Sequence, residues 1–406
     1  MSIAAVRRFS LFLLEMFCKG TVNLLFHRSK ETEGYMKRKD FFKGLALSTV
    51  SAPIVIRALG GGKEITAQGD SANIISGKRY KWKMVTTWPP GFPVVGEGCA
   101  LFAEKVKLMS GGRMEIEVYG GGELVPALEV FGAVSDGAAE IGHGAGYYWA
   151  GRVPAAQFFT SVPFGMNAQG MNAWIINGGG QKLWDELYAD YNLVPVPAGN
   201  TGVQMGGWFN REINSLADFK GLKMRMPGLG AKVLQAVGGA AVLVAGSELY
   251  TSLERGVIDA TEWIGPYHDY LMGFHQIADY YYAPGWHEPG SVLEMTFNKE
   301  KFDALPADLQ EIMKTAAHWS NLWMLSEFEA KNSVYLAKIK AETEVEIRSF
   351  TPDTLDGLRK AAATVVAEAG DKDAASRKVY ASFKQFQEAT ARWSSFSERL
   401  YYEDLQ

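Results

Sequence analysis

From Tyr80 onward, apolar and polar positions fall into blocks that alternate between period two and a period near 3.6. Lys81-Trp82-Lys83-Met84-Val85-Thr86-Thr87 alternates as a half-buried strand does. Gly96 to Ser110 has helical spacing, and Gly111-Gly112 stops it. Arg113 to Tyr119 alternates again. Pro126 to Ser135 is helical with proline near its first turn, and Ala139 to His143 is a short strand. Strand–helix–strand–helix–strand predicts a parallel sheet with crossover helices.

The pattern restarts downstream. Gly202 to Phe209 is strand-like and carries Gln204. Leu222 to Met226 is a strand stopped by Pro227-Gly228, Leu229 to Val237 a helix, and Ala240 to Val244 a strand. Ser247 to Arg255 is predicted helical with Ser247 as N-cap, and Val257 to Trp263 is predicted as a strand. The fold class is therefore α/β, with two α/β lobes and a cleft that closes by hinge motion. The expected organisation is lobe I over residues 80–198 and 284–300. Lobe II takes 199–283 and 301–345, including a long connecting helix. A C-terminal helix follows over 370–406, where Val379, Phe383, Phe386, Ala389, Trp393, Phe396 and Leu400 form an apolar stripe. That stripe suits packing on its own lobe and an intermolecular contact equally.

Residues 1–75 read differently. Lys37-Arg38-Lys39-Asp40-Phe41-Phe42-Lys43 precedes an apolar run from Gly44 to Ile56 and then small residues through Ala67. Basic, apolar, small is the order of an export signal, and the run is short for a membrane span. The cluster resembles a twin-arginine signal, with Arg38-Lys39 where that motif has two arginines, which leaves the export route open. Met36 is the expected true start, with residues 1–35 an upstream extension. The alternative is a membrane-surface arm over Leu11 to Phe26.

Composition narrows the function. The 406 residues are 47% hydrophobic with a net charge of -4, so nothing suggests a nucleic-acid partner. Cys18 falls in the export segment, leaving Cys99 as a lone thiol and expected buried hydrophobe. There is no His-Glu-x-x-His and no Cys-x-x-Cys, and Ser135 misses the nucleophile-elbow spacing. Gly142-His143-Gly144-Ala145-Gly146 and Gly228-Leu229-Gly230 both lack the third glycine of a dinucleotide fingerprint. His143, His268 and His275 read as structural groups. The marks of an enzyme are missing.

One constellation stands out. Arg225 ends an apolar strand just before a Pro-Gly break. An arginine there is costly unless it meets an anion, and its planar fork suits a carboxylate. A structural salt bridge with a nearby acid serves equally well. Glu262-Trp263 closes the later strand, and strand carboxyl ends are where open α/β sheets bind ligands.

Gly120-Gly121-Gly122-Glu123-Leu124-Val125, Leu222 to Pro227 and Leu253 to Ala260 together resemble the extracytoplasmic solute-binding proteins of TRAP (tripartite ATP-independent periplasmic) transporters, over about residues 80–340. The resemblance implies a bilobal periplasmic-binding-protein fold, a periplasmic location, TRAP membrane permease subunits as partners, and transport, not catalysis. Arg225 would pair with the carboxylate of a small organic acid. Gln204, Glu262-Trp263 and Gly285-Trp286-His287-Glu288-Pro289-Gly290 resemble the subgroup that binds 2-oxo or 2-hydroxy acids with a bridging metal cation. Gln204 and Glu262 would offer side-chain oxygens, Trp263 a main-chain carbonyl and Glu288 a further carboxylate. Tyr147, Tyr148 and Trp88 resemble the pocket aromatics of the other lobe. Hard cations take oxygen ligands, so no His or Cys is needed. The charge count leaves Na⁺ and Ca²⁺ open, and the resemblance favours Na⁺. The C-terminal helix resembles that of members forming helix-swapped homodimers. The competing expectations are the same fold holding a longer keto acid or sugar acid without metal, and a metal-assisted lyase or hydratase acting on an organic acid.

Overall fold

The computed structural model describes residues 77–405, so the expected export segment and the Met36 start lie outside the described residues. Among the described residues eleven strands form two sheets. They are β1 (Tyr80–Thr86), β2 (Met114–Tyr119), β3 (Ile141–Gly144), β4 (Leu193–Asn200), β5 (Gly207–Phe209), β6 (Lys223–Arg225), β7 (Ala240–Val242), β8 (Ala260–Thr261), β9 (Tyr280–Ala283), β10 (Val292–Asn298) and β11 (Glu346–Ser349).

The first sheet has the order β2-β1-β3-β10-β4. β1 pairs in parallel with β2 and β3, with the helices Val95–Met109 and Val130–Ser135 as crossovers, as the alternation predicts. β10 returns antiparallel between β3 and β4. Neither β4 nor β10 shows in the pattern. β10 is buried at every position, so no alternation marks it. β4 contains Pro195 and Pro197, which a sheet accepts only at its edge, where β4 lies.

The second sheet has the order β11-β9-β5-β8-β6-β7, with β6 parallel to both β7 and β8. Three predicted elements are corrected here. Only Gly207–Phe209 of the 202–209 run is strand, and Gln204 lies in the irregular segment before it. Only Ala260–Thr261 of the 257–263 run is strand, so Glu262 and Trp263 lie just beyond its end. The helix near Ser247 is Leu249–Glu254, entered through a 3₁₀ turn over Gly246–Glu248. Its N-cap is Glu248, so Ser247 does not cap it.

The helix Ala307–Glu342 runs across both sheets' territories, packing on β4 and on Val95–Met109 at one side and on the helix Pro266–Leu271 at the other. Among the described residues no helix is long and apolar enough to cross a membrane. Much of the aromatic content is core filling. Phe159 stacks on Trp174 at 5.1 Å and on Trp184 at 4.9 Å, and all three are fully buried. Cys99 is buried, its thiol donates to the Val95 carbonyl at 3.2 Å, and burial pushes its pKa up. A thiol held in that state is no nucleophile.

The C-terminal stripe divides in two. Asp373 caps the helix Ala374–Ser394 by accepting from the Ser376 amide at 2.7 Å. Val379 and Phe383 are buried, with Phe383 edge-on to Trp174 at 5.3 Å. Trp393 and Phe396, further along, are 65% and 77% exposed. The first half packs on its own lobe and the second half does not.

A buried acid sits in the first sheet. Glu294 of β10 is 1% exposed, and the Tyr188 hydroxyl lies 3.0 and 2.9 Å from its two carboxyl oxygens. Burial pushes its pKa up to about 8. Unfolded, a glutamate titrates near ~4.3. The folded state therefore binds the extra proton between these values, and the stability it contributes is full below pH ~4.3 and lost as pH rises through about 8. Glu294→Gln should flatten this decline, so that the urea midpoint differs less between pH 5 and pH 8.5 than in the parent protein. An unchanged slope would show that Glu294 stays charged when folded.

Candidate ligand and cation site

Strand register assembles the centre of the site. β6 and β8 run parallel with Arg225 opposite Thr261, so the next residue, Glu262, comes alongside the guanidinium. Pro227 ends β6 and turns the chain into the helix Gly228–Ala236. Arg225 and Glu262 are both 1% exposed or less and form a salt bridge through Nη1 and Oε1. Arg225 Nε donates to the Val244 carbonyl at 3.3 Å, and Nη2 lies 3.4 Å from the Tyr148 hydroxyl. The Trp263 ring covers the guanidinium at 5.4 Å. Burial works against the arginine's charge, but Glu262 and the two tyrosines outweigh it and hold the pKa above its ordinary value. The salt-bridge alternative is thus realised, and the partner acid is itself one of the predicted site residues.

Two chain crossings supply the second part. Residues 201–206 leave β4 for β5, and residues 284–291 lead from β9 into β10. They touch backbone to backbone: the Gln204 amide donates to the Glu288 carbonyl at 3.1 Å, and the Gly285 amide to the Gln204 carbonyl at 2.9 Å. A Cβ on Gly285 would lie 2.3 Å from that Gln204 carbonyl oxygen, so only glycine permits the approach. Gln204 Nε2 then donates to Glu288 Oε2 at 2.7 Å and to Thr201 Oγ1 at 3.1 Å, and the Ser291 hydroxyl donates to the same Glu288 oxygen. Glu288 is 3% exposed. Burial first, and then repulsion from Glu262, push its pKa up to about 7.

The aromatics come from the carboxyl ends of the first sheet's strands. Trp88 follows β1, and Tyr147 and Tyr148 lie in the 3₁₀ turn Gly146–Trp149 after β3. Trp88 meets Trp263 edge-on at 6.4 Å, and the Tyr147 hydroxyl is 3.4 Å from Glu288 Oε2. Burial, with Glu288 next, raises the Tyr147 pKa well above its ordinary value, so it stays a neutral donor. All the predicted site residues (Trp88, Tyr147, Tyr148, Gln204, Arg225, Glu262, Trp263 and Glu288) therefore fall in one neighbourhood. A separate cavity of about 350 Å³, between residues 121–127 and 245–248, is lined by none of them.

Several atoms here lack a partner. Gln204 Oε1 and Glu262 Oε2 are buried acceptors with no hydrogen-bond donor. Glu262, His287 and Glu288 each offer an atom within 4.8 Å of the others'. When Glu288 gives up its proton, two buried carboxylates face one arginine, and that excess negative charge demands a counterion. The donor set fits a cation.

Two supporting residues, His287 and Asp269, escaped the sequence pattern, and a third, His143, reads there only as a structural group. His287 stands in the run quoted for its neighbour Glu288, but nothing in its spacing announced a role. Asp269 accepts from the Ile264 and Gly265 amides, both at 3.1 Å, from Trp208 Nε1 at 2.9 Å and from the Tyr281 hydroxyl at 2.7 Å. It so fixes the turn after Trp263. His143 Nδ1 accepts from Trp88 Nε1 at 2.7 Å, and burial lowers its pKa to about 4, which keeps it the neutral acceptor. It is a structural group, as expected, that orients a pocket aromatic.

A fold of two α/β lobes with a polar, cation-fitting site at facing strand ends defines an extracytoplasmic solute-binding protein. Residues 84–373 match the model of the bacterial extracellular solute-binding proteins, family 7. The chain belongs to this family, the solute-binding proteins of TRAP transporters. It is 38% identical to the monocarboxylate 2-oxoacid-binding periplasmic protein of a Nostoc species, over 90% of this chain and 98% of that one. It also resembles the TRAP periplasmic solute-binding protein of Pseudoalteromonas atlantica, solved with sodium and pyruvate. The identity there is 42% and the TM-score 0.79, over 81% of this chain and 100% of that one. A third relative is the TRAP solute-binding protein of Bordetella bronchiseptica, a mixed-occupancy dimer with calcium and picolinate in one site. It is 36% identical with a TM-score of 0.79, over 80% of this chain and 97% of that one. The family is one of transport proteins, not enzymes.

Gly228 tests the approach of the two halves. It has φ +59, and a Cβ there would stand 2.9 Å from the Tyr147 Cβ on the opposing lobe. Gly228→Ala should hold the lobes apart and weaken ligand binding at least fivefold, with a larger radius of gyration by X-ray scattering in the presence of ligand. Gly256→Ala is the control: it has φ +67 and open space around it, so it carries the backbone strain without the clash.

Proposed function

We propose that the chain captures a 2-oxo or 2-hydroxy monocarboxylate of the pyruvate or lactate type outside the cytoplasm, held jointly by Arg225 and a bridging cation, and delivers it to TRAP membrane permease subunits. The observation that carries this is the meeting of one buried arginine with two buried glutamates and the unpartnered oxygens of Gln204 and Glu262. In this reading Arg225 Nη2, with the Tyr148 hydroxyl beside it, receives the ligand carboxylate. Gln204 Oε1, Glu262, Glu288 and the Trp263 carbonyl hold the cation, Na⁺ or Ca²⁺. When bound, the cation supplies positive charge for the carboxylate and the 2-oxygen of the ligand. Trp88, Tyr147 and Tyr148 close over the ligand and exclude water. The relatives bound to pyruvate with sodium, and to picolinate with calcium, support the ligand class.

A charge-assisted hydrogen bond contributes on the order of 1.5–3 kcal/mol. Arg225→Ala should therefore weaken pyruvate binding at least tenfold in calorimetry, and chelation in sodium-free buffer should weaken it in the parent protein. Unchanged pyruvate binding in Arg225→Ala would sink the assignment. Cation-independent binding would favour the same fold holding its acid without metal.

The export segment with its twin-arginine-like cluster supports a periplasmic location. The exposed Trp393, Phe396, Leu400 and Tyr402 at the end of the chain support a homodimer in which each protomer lends its last helix to the other. The Bordetella relative is a dimer, which supports a homodimer without bearing on the helix exchange. Trp393→Asp with Phe396→Asp should yield a monomer by light scattering. Truncation at residue 370 is the poorer test, because it also removes the buried Phe383.

A further inference from the structure

His287 is the member of the Trp286-His287-Glu288 run that the oxygen set above does not use. Its side chain is 1% exposed, and neither ring nitrogen has a hydrogen-bond partner. A buried polar group left unsatisfied is costly, so two on one ring need a reason. Nε2 stands 3.6 Å from Glu262 Oε2, beyond ordinary hydrogen-bond length, and that oxygen is itself unpartnered. The spacing matches two ligands of one ion. With bonds of about 2.0–2.2 Å, neighbouring ligands lie roughly 3.0 Å apart around a six-coordinate ion and roughly 3.4 Å apart around a four-coordinate one, a few tenths of an ångström inside the observed gap. Glu288 brings a third ligand atom within 4.8 Å of both. The ring is also held in place: it meets Trp286 edge-on at 5.3 Å, and its Cβ lies against Gly230, where an added Cβ would stand 3.0 Å from it.

The geometry points to His287 as a nitrogen ligand of the bound cation, which makes this a mixed imidazole–carboxylate site competent for first-row divalent ions such as Mn²⁺ and Zn²⁺ as well as for Na⁺ or Ca²⁺. Sodium and calcium take oxygen ligands, whereas imidazole suits zinc and its neighbours. Charge agrees. Glu262, Glu288 and a ligand carboxylate carry three negative charges, and Arg225 with a divalent ion carries three positive. A 2-oxo acid chelates such an ion through one carboxylate oxygen and the keto oxygen, adding two donors to those of the protein. This inference rests on the proposed function, namely that a cation sits at these residues.

The test uses metal-free protein loaded with Mn²⁺ and pyruvate and read by electron spin echo modulation. Imidazole nitrogen coupling is expected, and ¹⁵N-histidine labelling should change it. In calorimetry, His287→Gln should weaken Zn²⁺ binding at least tenfold and Ca²⁺ binding less than threefold. Absent histidine coupling, or equal losses for Zn²⁺ and Ca²⁺, overturns the inference. If His287→Gln fails to fold, the spectrum of the unsubstituted protein decides alone. The two proposals fail separately. Ca²⁺-dependent pyruvate binding without nitrogen coupling removes only His287, whereas pyruvate binding that ignores every cation removes the cation site itself.

Discussion

Arg225 and Glu262 face each other at the carboxyl ends of two parallel strands, each shielded from solvent almost completely. Taking two ions out of water costs several kcal/mol apiece, and their attraction seldom repays it fully. Such a pair is poor glue. It persists because the strand register places it there and the Trp263 ring covers it. Glu288 adds a second acid to the same small volume, which leaves the cluster one positive charge short whenever Glu288 is ionised. The rest of the molecule can be understood as the means of holding this unbalanced cluster dry and in position.

The holding is done by both lobes at once. Chain crossings at residues 201–206 and 284–291 bring Gln204 onto Glu288, and glycine at 285 permits the backbone contact. Across the cleft, Tyr147 packs on Gly228 and Trp88 on Trp263. The helix Pro266–Leu271 is pinned to the first lobe by His268 Nε2 donating to the Pro93 carbonyl at 2.7 Å. No single lobe contains the full set of groups. A site divided in this way is complete when the lobes meet and open to water when they part, which is what capture and release require. The aromatic groups at the strand ends of the first sheet are neutral, and the charged groups lie at the strand ends of the second sheet and on the crossings.

Parts of this were legible in the chain itself. β1 and β2 followed from periodicity, because exposed and buried positions alternate over β2 and the first half of β1; β3 is buried throughout and was marked by its length and place after a helix. Arg225 stood out because an arginine ending an apolar strand is anomalous wherever it occurs. The caps Thr351 and Asp373, each accepting from an amide three residues on, emerged only in the structure. β10 and β4 left no trace, one buried on both faces and the other disguised by prolines at an edge. Gln204 was placed on the wrong kind of element, since the apolar residues around it lie in an irregular crossing segment, where Val203 is exposed and Met205 only partly buried.

The resemblance to the family supplied the cation candidates; the sequence by itself determined the α/β class, the recurring strand–helix unit and Arg225 as a group that could meet a carboxylate. These depend on side-chain chemistry and on periodicity within a few residues. Tertiary structure alone decided which of them meet. Arg225 pairs with Glu262 from 37 positions away, and Gln204 with Glu288 from 84. It also decided that His287 is left unsatisfied beside them, and that the C-terminal stripe is half core and half surface. Whether a polar atom is satisfied depends on everything packed around it, which no local pattern records.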